Sequence, residues 1–79
     1  MAPLVRYDRY AQALYVRLSD KPYAYGRDLD EDRRIDYAED GTAIGVELLG
    51  VDQGVHLDDL PRADEIAAAL KPLDLEVYA

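Results

Sequence analysis

The stretch Arg34-Ile35-Asp36-Tyr37-Ala38-Glu39-Asp40-Gly41-Thr42-Ala43-Ile44-Gly45-Val46-Glu47-Leu48-Leu49 decides the fold. Asp40-Gly41 is a tight-turn signal, because Gly readily takes the positive φ that short hairpins demand. On either side of it, apolar residues alternate with the period of a half-buried strand. Ile35 and Tyr37 share one face of a strand over Arg34–Ala38. The next strand, Thr42–Leu49, sets Ile44, Val46 and Leu48 inward and Ala43, Gly45 and Glu47 outward. The pair predicts a β-hairpin whose outward face carries Asp36 and Glu47.

Working towards the N-terminus, Ala13–Leu18 is the clearest strand, with Leu14, Val16 and Leu18 on one face and Tyr15 and Arg17 on the other. Leu4–Tyr7 is a shorter strand candidate. Tyr23–Leu29 is a weaker one, in which Gly26 is read as a bulge that switches the alternation. Asp30-Glu31-Asp32 turns the chain. Towards the C-terminus, Gly50–Gly54 breaks the strand pattern. Asp58 or Asp59 is expected to cap a helix, with Pro61 in its first turn. Ala63, Ile66, Ala67 and Leu70 fall at i, i+3, i+4 and i+7, one helix face, and Arg62 is read as exposed. Asp64 and Glu65 near the start, and Lys71 near the end, match the helix dipole. Pro72 stops the helix, and Leu73, Leu75 and Val77 form a short final strand. The expected fold class is α+β: an antiparallel β-meander of about five strands with one C-terminal α-helix packed on one face. The 79 residues make one domain, 1–79.

A chain this short has a small core. Burying the apolar surface of 8.9 kDa contributes about 115 kcal/mol, while ordering 79 residues costs about 120 kcal/mol. That near-cancellation points to a homodimer or another partner chain, since the absence of Cys leaves no disulfide to help. The net charge is −8, from 9 basic and 17 acidic side chains. Such a field repels phosphates and anionic lipid, so nucleic acid and membrane surfaces are not expected partners; a basic protein partner is compatible with the charge, as is a charge that only maintains solubility. Arg6, Asp8 and Arg9 interrupt any apolar leader near the start, and no run approaches a membrane span, so a cytoplasmic location is expected.

Residues suited to catalysis are few. The only His is His56, the only Ser is Ser19 and the only Thr is Thr42. His56 with neighbouring carboxylates is the sole route to a small enzyme or ligand binder, and without a second His or a Cys it reads as structural or solvent-facing. Ser19 and Thr42 sit at turns, where hydroxyls serve the backbone. Asp28, Asp30, Asp32, Asp36 and Glu39 match the carboxylate spacing of a calcium-binding EF-hand loop. Arg33 stands where that loop needs Gly, however, and the flanks are strands, so no metal is expected. No cofactor or catalytic residue is assigned. The seven Tyr, with no Phe or Trp, suit half-buried and interfacial positions. Tyr15, Arg17, Asp36 and Glu47 are therefore the candidate interaction face, on the side of the sheet away from the helix.

Tyr7-Asp8, Ala13-Leu14-Tyr15-Val16-Arg17-Leu18, Asp36-Tyr37 with Glu39-Asp40-Gly41, and Ile44-Gly45-Val46-Glu47-Leu48-Leu49 occur here in an order that resembles domain-of-unknown-function family 2283, a group of short bacterial and archaeal proteins. The resemblance covers residues 4 to 49 and, more loosely, the helix after Asp58. This chain departs from the family pattern at Gln12, where an acidic residue is frequent, and at Gly26-Arg27, where a Thr-Glu pair is frequent. The resemblance implies the sheet and an antitoxin-like partnership with a small toxin, but no activity. Three readings follow: a non-catalytic protein-interaction module binding a basic protein, a small enzyme using carboxylates and His56, and a structural homo-oligomer. The scarcity of catalytic residue types favours the first.

Overall fold

The structure is a computed structural model and describes residues 1–78. Five antiparallel strands form the main sheet: β1 (Leu4–Asp8), β2 (Ala13–Arg17), β3 (Tyr25–Asp28), β4 (Arg33–Tyr37) and β5 (Ala43–Leu49). Their order is β1-β2-β5-β4-β3. The segment β3–β4–β5 is a meander, and the β1–β2 hairpin docks on its free edge through β2–β5 pairing, so β5 is central. A two-stranded parallel pair, β6 (Val55–His56) and β7 (Val77–Tyr78), flanks the helix α1 (Ala63–Leu70). The architecture is the α+β sheet-and-helix arrangement that the alternation implies.

The core lies between one face of the sheet and this C-terminal layer. Leu14, Val16 and Leu18 from β2 and its end meet Ile35, Val46 and Leu48 from the sheet. Val51, Val55, Leu57, Leu60, Ile66 and Leu70 close over them. Ile66 and Leu70 are fully buried and Ala63 and Ala67 pack at the rim, so the helix face read from the spacing is the one used. Each of those large side chains removes enough apolar area to contribute about 1.5–3 kcal/mol.

The Asp40-Gly41 turn forms as expected. Gly41 has φ 87°, and the Asp40 carboxylate accepts from the Thr42 amide at 3.0 Å. The bulge lies elsewhere than at Gly26. Asp36 pairs with Gly45 and Tyr37 with Ala43, so Ile44 is the extra residue on β5. This shift turns Ala43 against the core, contrary to its expected outward place, and leaves Ile44 buried outside the main cluster.

The entry to α1 also differs from the expectation. Neither Asp58 nor Asp59 caps it. The N-cap is Arg62, left-handed at φ 52°, with no side-chain cap bond, and Pro61 precedes the helix. Asp59 is itself left-handed at φ 66°. The chain leaves β6 through Leu57–Leu60 and must reverse sharply within a few residues, and Leu60 before Pro is barred from continuing a helix. Two left-handed residues make that corner. Arg62 is then far from free: its guanidinium donates to the Leu18 carbonyl at 2.6 Å, to the Met1 carbonyl at 2.7 Å and to both Glu65 carboxylate oxygens. It ties helix, β2 and the N-terminal segment together, which overturns the reading of Arg62 as a simple exposed residue.

After Leu70 the helix tightens into a 3-10 turn, Lys71–Leu73, containing Pro72. The final strand pairs with β6, a strand the sequence reading did not include, and begins only at Val77. Among the described residues no helix is long and apolar enough to cross a membrane.

Candidate interaction surfaces

The helix and the β6–β7 pair cover one face of the sheet and leave the other open. The pairing register fixes what the open face displays. One row across the five strands reads Arg6, Tyr15, Glu47, Arg34, Asp28, and the neighbouring row reads Leu4, Arg17, Gly45, Asp36, Gly26. Tyr15, Arg17, Asp36 and Glu47 thus share one face. Arg6, Arg34 and Asp28 join them. Strand parity places Arg34 beside Asp36, a relation already legible in the sequence. Arg6 and Asp28 needed the strand order as well.

Two glycines shape this face. A Cβ on Gly45 would overlap the Tyr15 hydroxyl, because the Tyr15 ring lies across β5 at that point. It reaches β4, where the hydroxyl donates to the Asp36 carboxylate at 3.0 Å. Burial, and then that bond to an acceptor of negative charge, push the Tyr15 phenol up to about 12. A Cβ on Gly26 would likewise overlap the Arg34 guanidinium, which pairs with Asp28 at 3.0 Å and with Asp36 at 3.4 Å. Gly26 therefore leaves room for an arginine that serves two carboxylates.

The two halves of the face differ in charge. Arg17 donates to the backbone carbonyls of Ser19 at 2.6 Å and Lys21 at 3.5 Å, and has no carboxylate partner. Arg6 is exposed and forms no ion pair among the described residues. The β1–β2 half therefore carries a net positive charge, Arg6 and Arg17 against the single carboxylate of Asp8, while on the β3–β4 half one arginine stands against Asp28 and Asp36. A shallow depression of about 720 Å³, lined by Arg6, Arg9, Tyr15 and Glu47 among others, marks the first half. Its openness to solvent suits a surface contact better than the enclosure of a small molecule.

A second surface lies at the end of the molecule where β3 turns into β4. Asp30, Glu31 and Asp32 form that turn. The Leu49 amide donates to the Asp32 carbonyl at 2.8 Å, which brings the segment after β5, with Asp52, beside them. Arg33, at the start of β4, points to the core side and clamps the β6 segment here, donating to the carbonyls of His56 at 3.1 Å and Asp58 at 2.6 Å and to the Asp30 carboxylate at 2.9 Å. Only 11% of its side chain is exposed. Asp30, Glu31, Asp32, Asp52, Asp58 and Asp59 are all exposed around it. The clamp was invisible in the sequence, where Arg33 read merely as a misfit in a calcium loop.

The carboxylates of that supposed loop are engaged as in an ordinary hairpin. Asp30 accepts from the Asp32 amide at 3.0 Å and from Arg33, whose guanidinium holds its carboxyl below the usual carboxylate range. Among the described residues no three His, Asp or Glu side chains are placed to share one cation. His56 is exposed, with its ring against Tyr78 at 5.0 Å between centroids. The Ser19 hydroxyl accepts from the Lys21 amide, and the Thr42 hydroxyl from the Lys21 ammonium. The geometry does not bring His56 to either of them.

The family model described as "Protein of unknown function (DUF2283)" matches residues 4–51. The chain belongs to this family. The matched residues take in the whole five-stranded sheet of this DUF2283 protein, including both rows of its open face, and end before β6, α1 and β7. No curated protein and no solved structure matched the chain.

Proposed function

We propose that this protein is a non-catalytic protein-interaction module that binds a more basic protein. The observation that carries the reading is the acidic end: six exposed carboxylates on the β3–β4 turn and the segments beside it, of which only Asp30 and Asp58 pair with Arg33, an arginine turned inward that also ties down backbone carbonyls. Carboxylates spread in this way suit a partner with several separated positive charges rather than a single metal ion. The separation of His56 from Ser19 and Thr42 gives a nucleophilic mechanism no starting geometry. An antitoxin-like role, which the resemblance implies, is one form of this function, with a small basic toxin as the partner. Charge complementarity would speed the encounter and make it sensitive to salt.

The test is affinity capture from the native host, followed by purification of the captured protein and measurement of its affinity at rising salt. The expected result is a basic protein whose affinity falls with salt. Substituting Asp30→Asn, Glu31→Gln and Asp32→Asn together should lower it by more than about tenfold. A partner indifferent to both changes refutes the proposal. So does the absence of any partner alongside a turnover abolished by His56→Ala.

A further inference from the structure

We infer that the open sheet face is the docking site for a second copy of this chain, with a two-fold axis running along β5. The inference goes beyond the basic-partner reading, which concerns the acidic end. It rests on the way charge is distributed about the central strand. Among the described residues, Arg6 on β1 and Arg17 on β2 form no ion pair with a carboxylate, Arg17 donating to backbone carbonyls instead. On the far side, Asp28 on β3 and Asp36 on β4 share Arg34. In a two-fold contact each residue meets its counterpart's partner reciprocally. Turning a second sheet over this one about β5 lays β1 across the second copy's β3 and β2 across its β4.

The register then matches Arg6 with the second copy's Asp28 and Arg17 with its Asp36. Tyr15 faces its Arg34, an aromatic ring against a guanidinium. The two Gly45 positions lie opposite each other across the axis, each beneath its own Tyr15 ring, so flat aromatic faces rather than backbone meet there. Sheets packed face to face are rotated by about 30°, an offset that long arginine side chains span. Two pairings are unfavourable: Glu47, exposed on β5, meets the second copy's Glu47, and Asp8, exposed on β1, falls towards the second copy's acidic β3–β4 turn.

Five strands about 4.8 Å apart and about five residues long give a flat area of roughly 400 Å² per copy, below that of a stable specific interface and in the range of weak, transient ones. The dimer is accordingly concentration-dependent. A face offering only one sign of charge would recognise something else; this one is complementary to itself.

Sedimentation over a wide concentration range tests the assignment. The intact chain should show a monomer–dimer equilibrium. Arg6→Asp and Asp28→Arg, both at exposed positions, should each weaken it by more than about tenfold, because each sets like charges against one another twice. An equimolar mixture of the two variants, or the double variant, should restore association. Glu47→Gln should tighten the dimer several-fold. A strict monomer, a dimer indifferent to the charge swaps, or a Glu47→Gln dimer no tighter than the parent overturns the inference, whatever the outcome of partner capture at the acidic end.

Discussion

Gly45→Ala is the sharpest probe of the open face, because its effect depends on one neighbour. Gly45 is buried beneath the Tyr15 ring, and an added methyl would occupy the place of the hydroxyl. Tyr15 must swing away, which breaks its 3.0 Å bond to Asp36. Overpacking of this kind costs about 1–3 kcal/mol, and a hydrogen bond to a charged group contributes about 1.5–3 kcal/mol at most. These overlap, so Gly45→Ala should lose about 2–3 kcal/mol. Tyr15→Ala alone should lose about 1–2 kcal/mol, because Asp36 keeps Arg34. With the ring gone, Ala at position 45 meets no obstacle and gains about 0.5–1 kcal/mol over Gly in a strand interior. The double variant should then match or exceed Tyr15→Ala in stability. The coupling between the two sites is then about 2.5–4 kcal/mol, at or above the upper end for touching residues. Urea melts of the four proteins measure it, provided the slopes agree. Additive losses would show that Tyr15 does not lie over Gly45, and the register of the whole face would fall with it.

Ile66→Ala or Leu70→Ala should cost about 2–5 kcal/mol in urea melts, since both side chains are fully buried beneath the sheet; mild effects would contradict the packing of α1. Arg62→Ala should lower the urea midpoint measurably through loss of its bond to the part-buried Leu18 carbonyl, with Arg27→Ala, exposed on β3, as the silent control. Arg62→Gly should be milder than Arg62→Ala, because Gly takes the left-handed conformation freely. Tyr15 should ionise late in an ultraviolet titration, a step that should vanish in Tyr15→Phe. A phenol raised from 10.0 to about 12 contributes stability that is intact below pH 10 and is lost as pH rises towards 12, so Tyr15→Phe should flatten that alkaline decline. Calorimetry should find no stoichiometric calcium site, and Asp30→Asn should leave the trace unchanged, because Asp30 already serves the Asp32 amide and Arg33.

Alternation made most of the sheet legible. Leu14, Val16 and Leu18, and Val46 and Leu48, are the buried sets that the pattern marks, and Asp40-Gly41 turns where its chemistry requires. Alternation says which face a residue occupies but not which strand lies beside it. The β2–β5 pairing was therefore out of reach, and with it the match of Arg6 to Asp28 across the face. The bulge at Ile44 left no mark, because Ala43 and Gly45 are both small enough for either face. At the helix start, Asp58 and Asp59 offered good capping chemistry, but the cap is decided by the corner before Pro61, where the backbone of Arg62 is held left-handed by bonds to remote carbonyls. Such long-range ties, like that of Arg33 to Asp58, depend on tertiary proximity and have no local signature.

The strand order also carries a timetable. β3, β4 and β5 are joined by short turns, and so are β1 and β2, so each unit can form quickly on its own. Joining them is slower, because Val16 and Val46 are remote in sequence and pair only when the two units dock. The chain therefore passes through a stage in which two hairpin units exist and the central seam does not. At that stage β5 has one unsatisfied edge, rich in Ile, Val and Leu, that a neighbouring molecule's β2 fits as well as its own. Dilution should speed productive refolding, and crowded refolding should yield exchanged dimers in which β1–β2 of one chain completes the sheet of another.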